Sequence, residues 1–231
     1  KLTLPSNISV IESSAFSVCT GFRDTLVLPE SITHIKSHAF YGMKSLQGSL
    51  VIPRGVTNIE SYAFQGCVNL TDVYVLSNSY ALGDDVFSYI YKPFYGLRGT
   101  PIEHYPQTEG RFIELGIFLT GEKTVSINNN MQLSHTFVLP PTEDEPTVLW
   151  SSSDEKIATI DQTGLVSGVA PGTVTITAST THYTATHEIE VIQFASSLSI
   201  NTSNHTISLK EEPESYQIIA TILPENTSNK T

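Results

Sequence analysis

The residues of this 231-residue chain that could do chemistry are two cysteines, seven histidines and a few acidic clusters. A thiol acts as a nucleophile only when a neighbouring base or positive charge makes it a thiolate. A metal needs converging imidazoles, thiolates or carboxylates at ligand spacing, and calcium needs a loop of alternating acids. The chain has no His-Glu-x-x-His, no Gly-x-Ser-x-Gly, no phosphate-cradling glycine loop and no Asp-x-Asn-x-Asp run. Asp84-Asp85 and Glu143-Asp-Glu145 read as solvated turns, with weak calcium binding as the alternative. The expectation is a chain with no catalytic residue, no cofactor and no metal, and attention passes to the elements that would build a surface.

Those elements repeat. Leu2, Leu26 and Leu50 each open a Leu-x-(Leu/Ile)-Pro piece, and Phe16, Phe40 and Phe64 follow in the same register, 24 residues apart each time. A period of this length is the signature of a solenoid. Each unit reads as one coil: a short strand ending at proline, a second extended piece with Ile8/Ile11, Ile32/Ile35 or Val56/Ile59 pointing inward, and a Ser-x-Ala-Phe stretch suited to a single helical turn. One coil cannot bury these apolar residues alone, whereas stacking puts Phe on Phe and Leu on Leu. The run Val51-Ile-Pro-Arg-Gly-Val-Thr-Asn-Ile-Glu-Ser-Tyr-Ala-Phe-Gln-Gly-Cys67 resembles the BspA-like leucine-rich repeat of bacterial surface proteins, over roughly residues 1 to 88 with a degenerate fourth coil at 73–87.

The repeat also places the reactive candidates. Cys19 and Cys67 occupy equivalent positions two coils apart. With strands about 4.8 Å apart they lie roughly 10 Å from each other, beyond the reach of a disulfide, so two buried free thiols are expected. His34 falls on an extended piece and His38 on the turn, which reads as surface histidines and not a metal pair.

A second pattern follows. Between Trp150 and Ala178, short alternating strands (Ile157/Thr159, Leu165–Ser167, Val174/Ile176/Ala178) are separated by turn signals at Asp161-Gln-Thr-Gly164 and Ala170-Pro-Gly172, the pattern of an antiparallel sandwich. The segment Val148–Ala178 is similar to the bacterial immunoglobulin-like group 2 module. Trp150, the sole tryptophan, reads as the plug between two sheets. Tyr216-Gln-Ile-Ile-Ala-Thr-Ile-Leu-Pro224 echoes Met131–Pro140, and Leu198/Ile200 echo Ile117/Leu119, so the same module begins again. The expected fold class is mainly β: a leucine-rich-repeat solenoid of short strands and single helical turns, an Ig-like β-sandwich, and the first strands of a second one. The corresponding domains are 1–112 (solenoid with a C-terminal cap), 113–192 (Ig-like) and 193–231 (truncated second Ig-like).

Charge is uneven: residues 1–112 carry a net −1, 113–192 a net −8 and 193–231 a net −2. An acidic Ig-like arm repels phosphate backbones, and no Lys/Arg cluster offers a footprint for nucleic acid. No apolar run approaches the ~18 residues of a membrane span. Two surfaces are candidates for a ligand. Thr3, Val27, Val51 and Tyr74 form an outward stripe along the stacked strands. The aromatic stretch 73–112 caps the open end of the solenoid, with sugar contacts through Tyr80 and Tyr91 as the minority reading. The family resemblance implies adhesion: a non-catalytic protein, extracellular at the bacterial cell surface, its solenoid engaging a host protein, another cell or a glycan and its Ig-like modules acting as a stalk; the expected partner is an extracellular protein or glycan and the expected state a monomer. The rival expectation is a polysaccharide-capture or enzyme-accessory protein using the aromatic region.

Overall fold

The computed structural model describes residues 2–194, 209–212 and 215–218. Two compact units are present, 1–193 and 194–231. In the second, Leu209–Glu212 pairs antiparallel with Ser215–Ile218. Leu198, Ile200 and residues 219–224, which the echo of the first module places on strands, lie outside the described residues.

The repeat folds as coils whose rise equals one strand spacing. Leu2 pairs in parallel with Leu26 and Thr3 with Val27. A four-stranded parallel sheet runs through Gly48–Ile52, Leu70–Val75, Phe94–Gly96 and Phe112–Glu114, and a second through Val10–Ile11, His34–Ile35, Asn58–Ile59 and Ala81–Leu82. Inside, Leu26, Leu50 and Val73 follow one another in one column, and Ile11, Ile35 and Ile59 in another, all buried. The phenyl rings of Phe16, Phe40, Phe64 and Phe87 lie 5.3, 5.0 and 5.7 Å apart centroid to centroid, tilted by no more than 11°. That spacing is the ~4.8 Å strand repeat transferred to side chains, so the ring column is a direct consequence of the 24-residue register, shortened to 23 at the fourth coil.

The helical turn expected at each Ser-x-Ala-Phe does not form. Along this arc the backbone N–H groups alternate: those of Ala39, Tyr41 and Met43 donate within the coil to Lys36, His38 and Phe40, while those of His38, Phe40 and Gly42 donate to Ser61, Ala63 and Gln65 of the next coil. A helix would direct every N–H inward along its own turn; here a neighbouring carbonyl stands one rung away and takes half of them. The alternation requires left-handed backbone at two positions per coil, Ser14/Val18, His38/Gly42, Tyr62/Gly66 and Asp85/Tyr89, with φ between 52° and 77°. Glycine at 42 and 66 meets that demand without steric cost.

Only one of the two cysteines is buried as expected. Cys67 is fully enclosed, its thiol donates to the Phe40 carbonyl at 3.2 Å, and burial pushes its pKa up to about 12. That thiol is a packing group and not a nucleophile. Cys19 is partly exposed, like Phe16 and Ile8, because among the described residues no coil covers the first one. Both cysteines are free.

At the other end the aromatic stretch closes the column. Two 3-10 turns, Pro101–His104 and Pro106–Thr108, carry Ile102 and Tyr105 into the core, and Tyr105 meets Phe87 edge-on at 5.9 Å. The Tyr105 hydroxyl accepts from the Phe87 N–H and the Tyr80 hydroxyl from the Ile102 N–H, so donors that lack a further coil are satisfied by phenols.

The Ig-like region is a sandwich. One sheet orders Thr124–Ser126, Thr184–Ile192, Gly172–Ser179 and Leu149–Ser152, with the first pair parallel and the others antiparallel. The other face holds Asn130–Gln132, Leu165–Gly168 and Ala158–Ile160, and Gly116–Thr120 pairs antiparallel with Ser134–Val138. Trp150 is buried between them, and its own N–H and C=O are both engaged by the side-chain amide of Gln162. The long strand Thr184–Ile192, His187 and Glu190 included, was not among the sequence expectations; its alternating inward Ile189 and Val191 carry the signal.

Candidate functional site

The first Ig-like module is not a free stalk. Leu76 of the solenoid and Leu115 of the connection are buried in the same apolar cluster as Trp150, Val174 and Ile176, with Val51, Tyr74, Tyr95 and Leu97 packed against it. Tyr74 and Tyr95 stack face to face at 4.3 Å, and burial pushes the Tyr74 phenol up to about 12. The outward stripe read from the sequence is therefore divided. Val51 and Tyr74 turn partly toward the Ig-like module, while Val27 stays 41% exposed and Thr3 continues the strand edge beside it.

A polar clamp holds the junction. Arg54 Nη2 donates to Glu143 Oε1 at 2.5 Å and to the Tyr183 hydroxyl at 3.0 Å, and that hydroxyl donates to Glu143 Oε2 at 3.1 Å, closing a triangle. The guanidinium also sits over the Tyr183 ring, 5.3 Å from its centroid. Burial works against the Arg54 charge, but the bonds to Tyr183 and Glu143 outweigh it and hold its pKa above the ordinary value. Glu143 is thus a structural partner and not part of a solvated acidic turn; nothing in the sequence links it to an arginine 89 positions earlier. Replacing Arg54 by Met is expected to destabilise the junction by about 1–3 kcal/mol, because it leaves a half-buried carboxylate without its cation. A urea titration reads this directly, and Arg54→Met combined with Glu143→Gln should recover part of the loss.

Beside the clamp lies a groove of about 570 Å³, lined on the solenoid side by Val27, Leu28, Pro29, Val51 and Pro53 and on the Ig-like side by Pro141 and Thr142. Its walls are mainly apolar, with Glu30 and Ser49 at the rim. A surface of this kind suits an extended segment with apolar side chains. Neither half forms it alone, which is why the repeat pattern points to Val27 and Val51 but not to Pro141.

The two aromatic candidates part company. Tyr80 is only 9% exposed, with its phenol pushed up to about 12 by burial, and it cannot meet a ligand. The register does not foretell this: the fourth coil follows the third at 23 residues, Asn58 pairing with Ala81, so Tyr80 stands at the rung of exposed Thr57, and its hydroxyl is drawn in to accept from the Ile102 N–H of the cap. Tyr91 is 71% exposed, with the Arg111 guanidinium 5.5 Å from its ring centroid. Among the described residues no group of three or more His, Cys, Asp or Glu converges on a common point, and no helix is long and apolar enough to cross a membrane.

Comparison with known proteins matches the two halves separately. Residues 1–92 match the BspA type leucine rich repeat region in six copies, and residues 118–189 match the bacterial Ig-like domain (group 2). Over 87 residues the chain is 37% identical to a 3-O-alpha-D-galactosyl-alpha-L-arabinofuranosidase of Bifidobacterium longum subsp. longum, which covers 34% of this chain and 8% of that protein. Among solved structures, an intimin–Tir90 complex (19% identity, TM-score 0.27, 33% of this chain and 46% of that one) and an EHEC O157:H7 intimin mutant (21% identity, TM-score 0.27, 34% and 46%) are similar over part of the fold. The chain spans less than half the length of each of these proteins.

Proposed function

We propose, from a chain that joins a BspA-type leucine-rich repeat region to a bacterial group 2 Ig-like domain, that it is a non-catalytic binding segment of a bacterial surface adhesion protein. Both domain types are typical of such surface proteins and neither is a catalytic type. The groove between them carries the reading: an accessible, largely apolar channel walled by both domains presents Val27 to an extended segment of an extracellular protein partner. The acidic Ig-like stretch keeps the segment soluble and away from anionic surfaces. The chain acts as a monomer, with its domains divided at about residues 112 and 192.

A binding assay on immobilised extracellular matrix proteins tests this. Val27→Glu, at an exposed strand position, should leave the melting temperature within a degree or two and cut binding at least about tenfold, since it puts a charge into an apolar channel. Binding equal to that of the parent would remove the groove from the account.

The enzyme-accessory reading has its own support in the name of the Bifidobacterium relative and in the exposed, Arg111-braced Tyr91. On that reading the segment holds polysaccharide for a catalytic domain elsewhere in a longer protein. Loss of glycan-array signal on Tyr91→Ala, with matrix binding absent, is its distinguishing result.

A further inference from the structure

The arc of the solenoid carries a cluster that neither the groove nor the cap uses. His38 lies between Tyr41 of its own coil and Tyr62 of the next, with ring centroids 5.4 and 4.9 Å away. All three are partly exposed, and neither phenol hydroxyl has a protein hydrogen-bond partner among the described residues. We propose that His38, Tyr41 and Tyr62 form a binding patch for an uncharged sugar residue of a glycan, separate from the groove and independent of its role.

The Ser37 hydroxyl lies 2.7 Å from His38 Nδ1 and 3.0 Å from the Ser61 carbonyl, which anchors the imidazole from one side. Nε2 is left as a hydrogen-bonding group, an acceptor or a donor according to which nitrogen carries the proton. The patch thus offers an anchored ring nitrogen and two hydroxyls able to donate or accept, beside two aromatic rings for the C–H face of a pyranose. An anionic ligand fits poorly, because the Glu60 carboxylate holds the Ser37 N–H at 2.9 Å beside the histidine. A wholly apolar segment would leave the rim of hydroxyls and Nε2 without partners.

The backbone adds an independent argument. His38 and Tyr62 both have left-handed backbone, φ 58° and 65°, at a position every coil requires to be left-handed. Glycine adopts this conformation at least cost, and asparagine, aspartate and histidine are enriched in it among the other residues. The bulky Tyr62 ring carries strain there that the fold does not need, and strain of this kind gathers at binding sites.

The test follows from that strain. Saturation-transfer NMR on the whole chain with cellotetraose, mannotetraose, galactotetraose and chitotetraose should show transfer to at least one. His38→Asn, His38→Gly and Tyr62→Asn, all compatible with left-handed backbone, should weaken that binding about tenfold or more while the melting temperature stays level or rises. Tyr91→Ala on the cap should bind as the parent does. The proposal is overturned if no neutral tetrasaccharide binds, if only a polyanion such as heparin does, if the arc variants bind like the parent, or if Tyr91→Ala is the variant that loses the signal.

Discussion

Truncating Phe64 to alanine is expected to cost about 3–5 kcal/mol, enough to bring the solenoid to the edge of unfolding at ambient temperature. Phe64 is wholly buried and stands third in a column of four near-parallel rings, with Phe40 on one side and Phe87 on the other. Removing it opens a cavity the size of a ring in an element where each coil is stabilised only by its two neighbours, so the loss is felt on both sides. Far-UV circular dichroism against urea should show the midpoint falling sharply. A change under about 1 kcal/mol would mean that the column is not what holds the coils together.

Trp150→Ala is expected to have an effect of the same size, about 3–5 kcal/mol, in the other half. The indole is buried between the two sheets with His135 edge-on at 5.9 Å, and no other tryptophan is present to compensate. The Gln162 amide holds the Trp150 backbone from both sides and remains after truncation, so the strand should keep its register while the core loses volume. Thermal unfolding followed by circular dichroism measures this, with a fall in midpoint of ten degrees or more expected for a domain of this size, at about 4–8 °C per kcal/mol.

Much of this was legible in the sequence, for reasons that differ between residues. The 24-residue register gives the Phe and Leu columns because identical coils must place identical side chains alike, whereas the burial of Tyr80, at the rung of exposed Thr57, comes from the cap and not from the register. The sandwich is readable from alternation around Trp150 and turns at Gly164 and Gly172. The arc is not readable from local propensity, because its N–H groups choose between their own coil and a carbonyl 23 or so residues away, as with His38 and Ser61. The groove and the clamp are further out of reach. Arg54, Glu143 and Tyr183 belong to different domains, and their meeting depends on how the apolar faces around Tyr74, Leu76 and Leu115 fit.

That fit joins the solenoid and the Ig-like module through one apolar cluster, and the proposed function depends on it. Because Trp150 is the only tryptophan, its fluorescence reports the Ig-like half alone. The decisive measurement is a urea titration followed by Trp150 fluorescence in the parent and in Phe64→Ala. If the Ig-like module draws stability from its contact with the solenoid, weakening the ring column lowers the Trp150 midpoint as well. A Trp150 midpoint identical in the two proteins, while circular dichroism shows the solenoid lost first, would contradict the account.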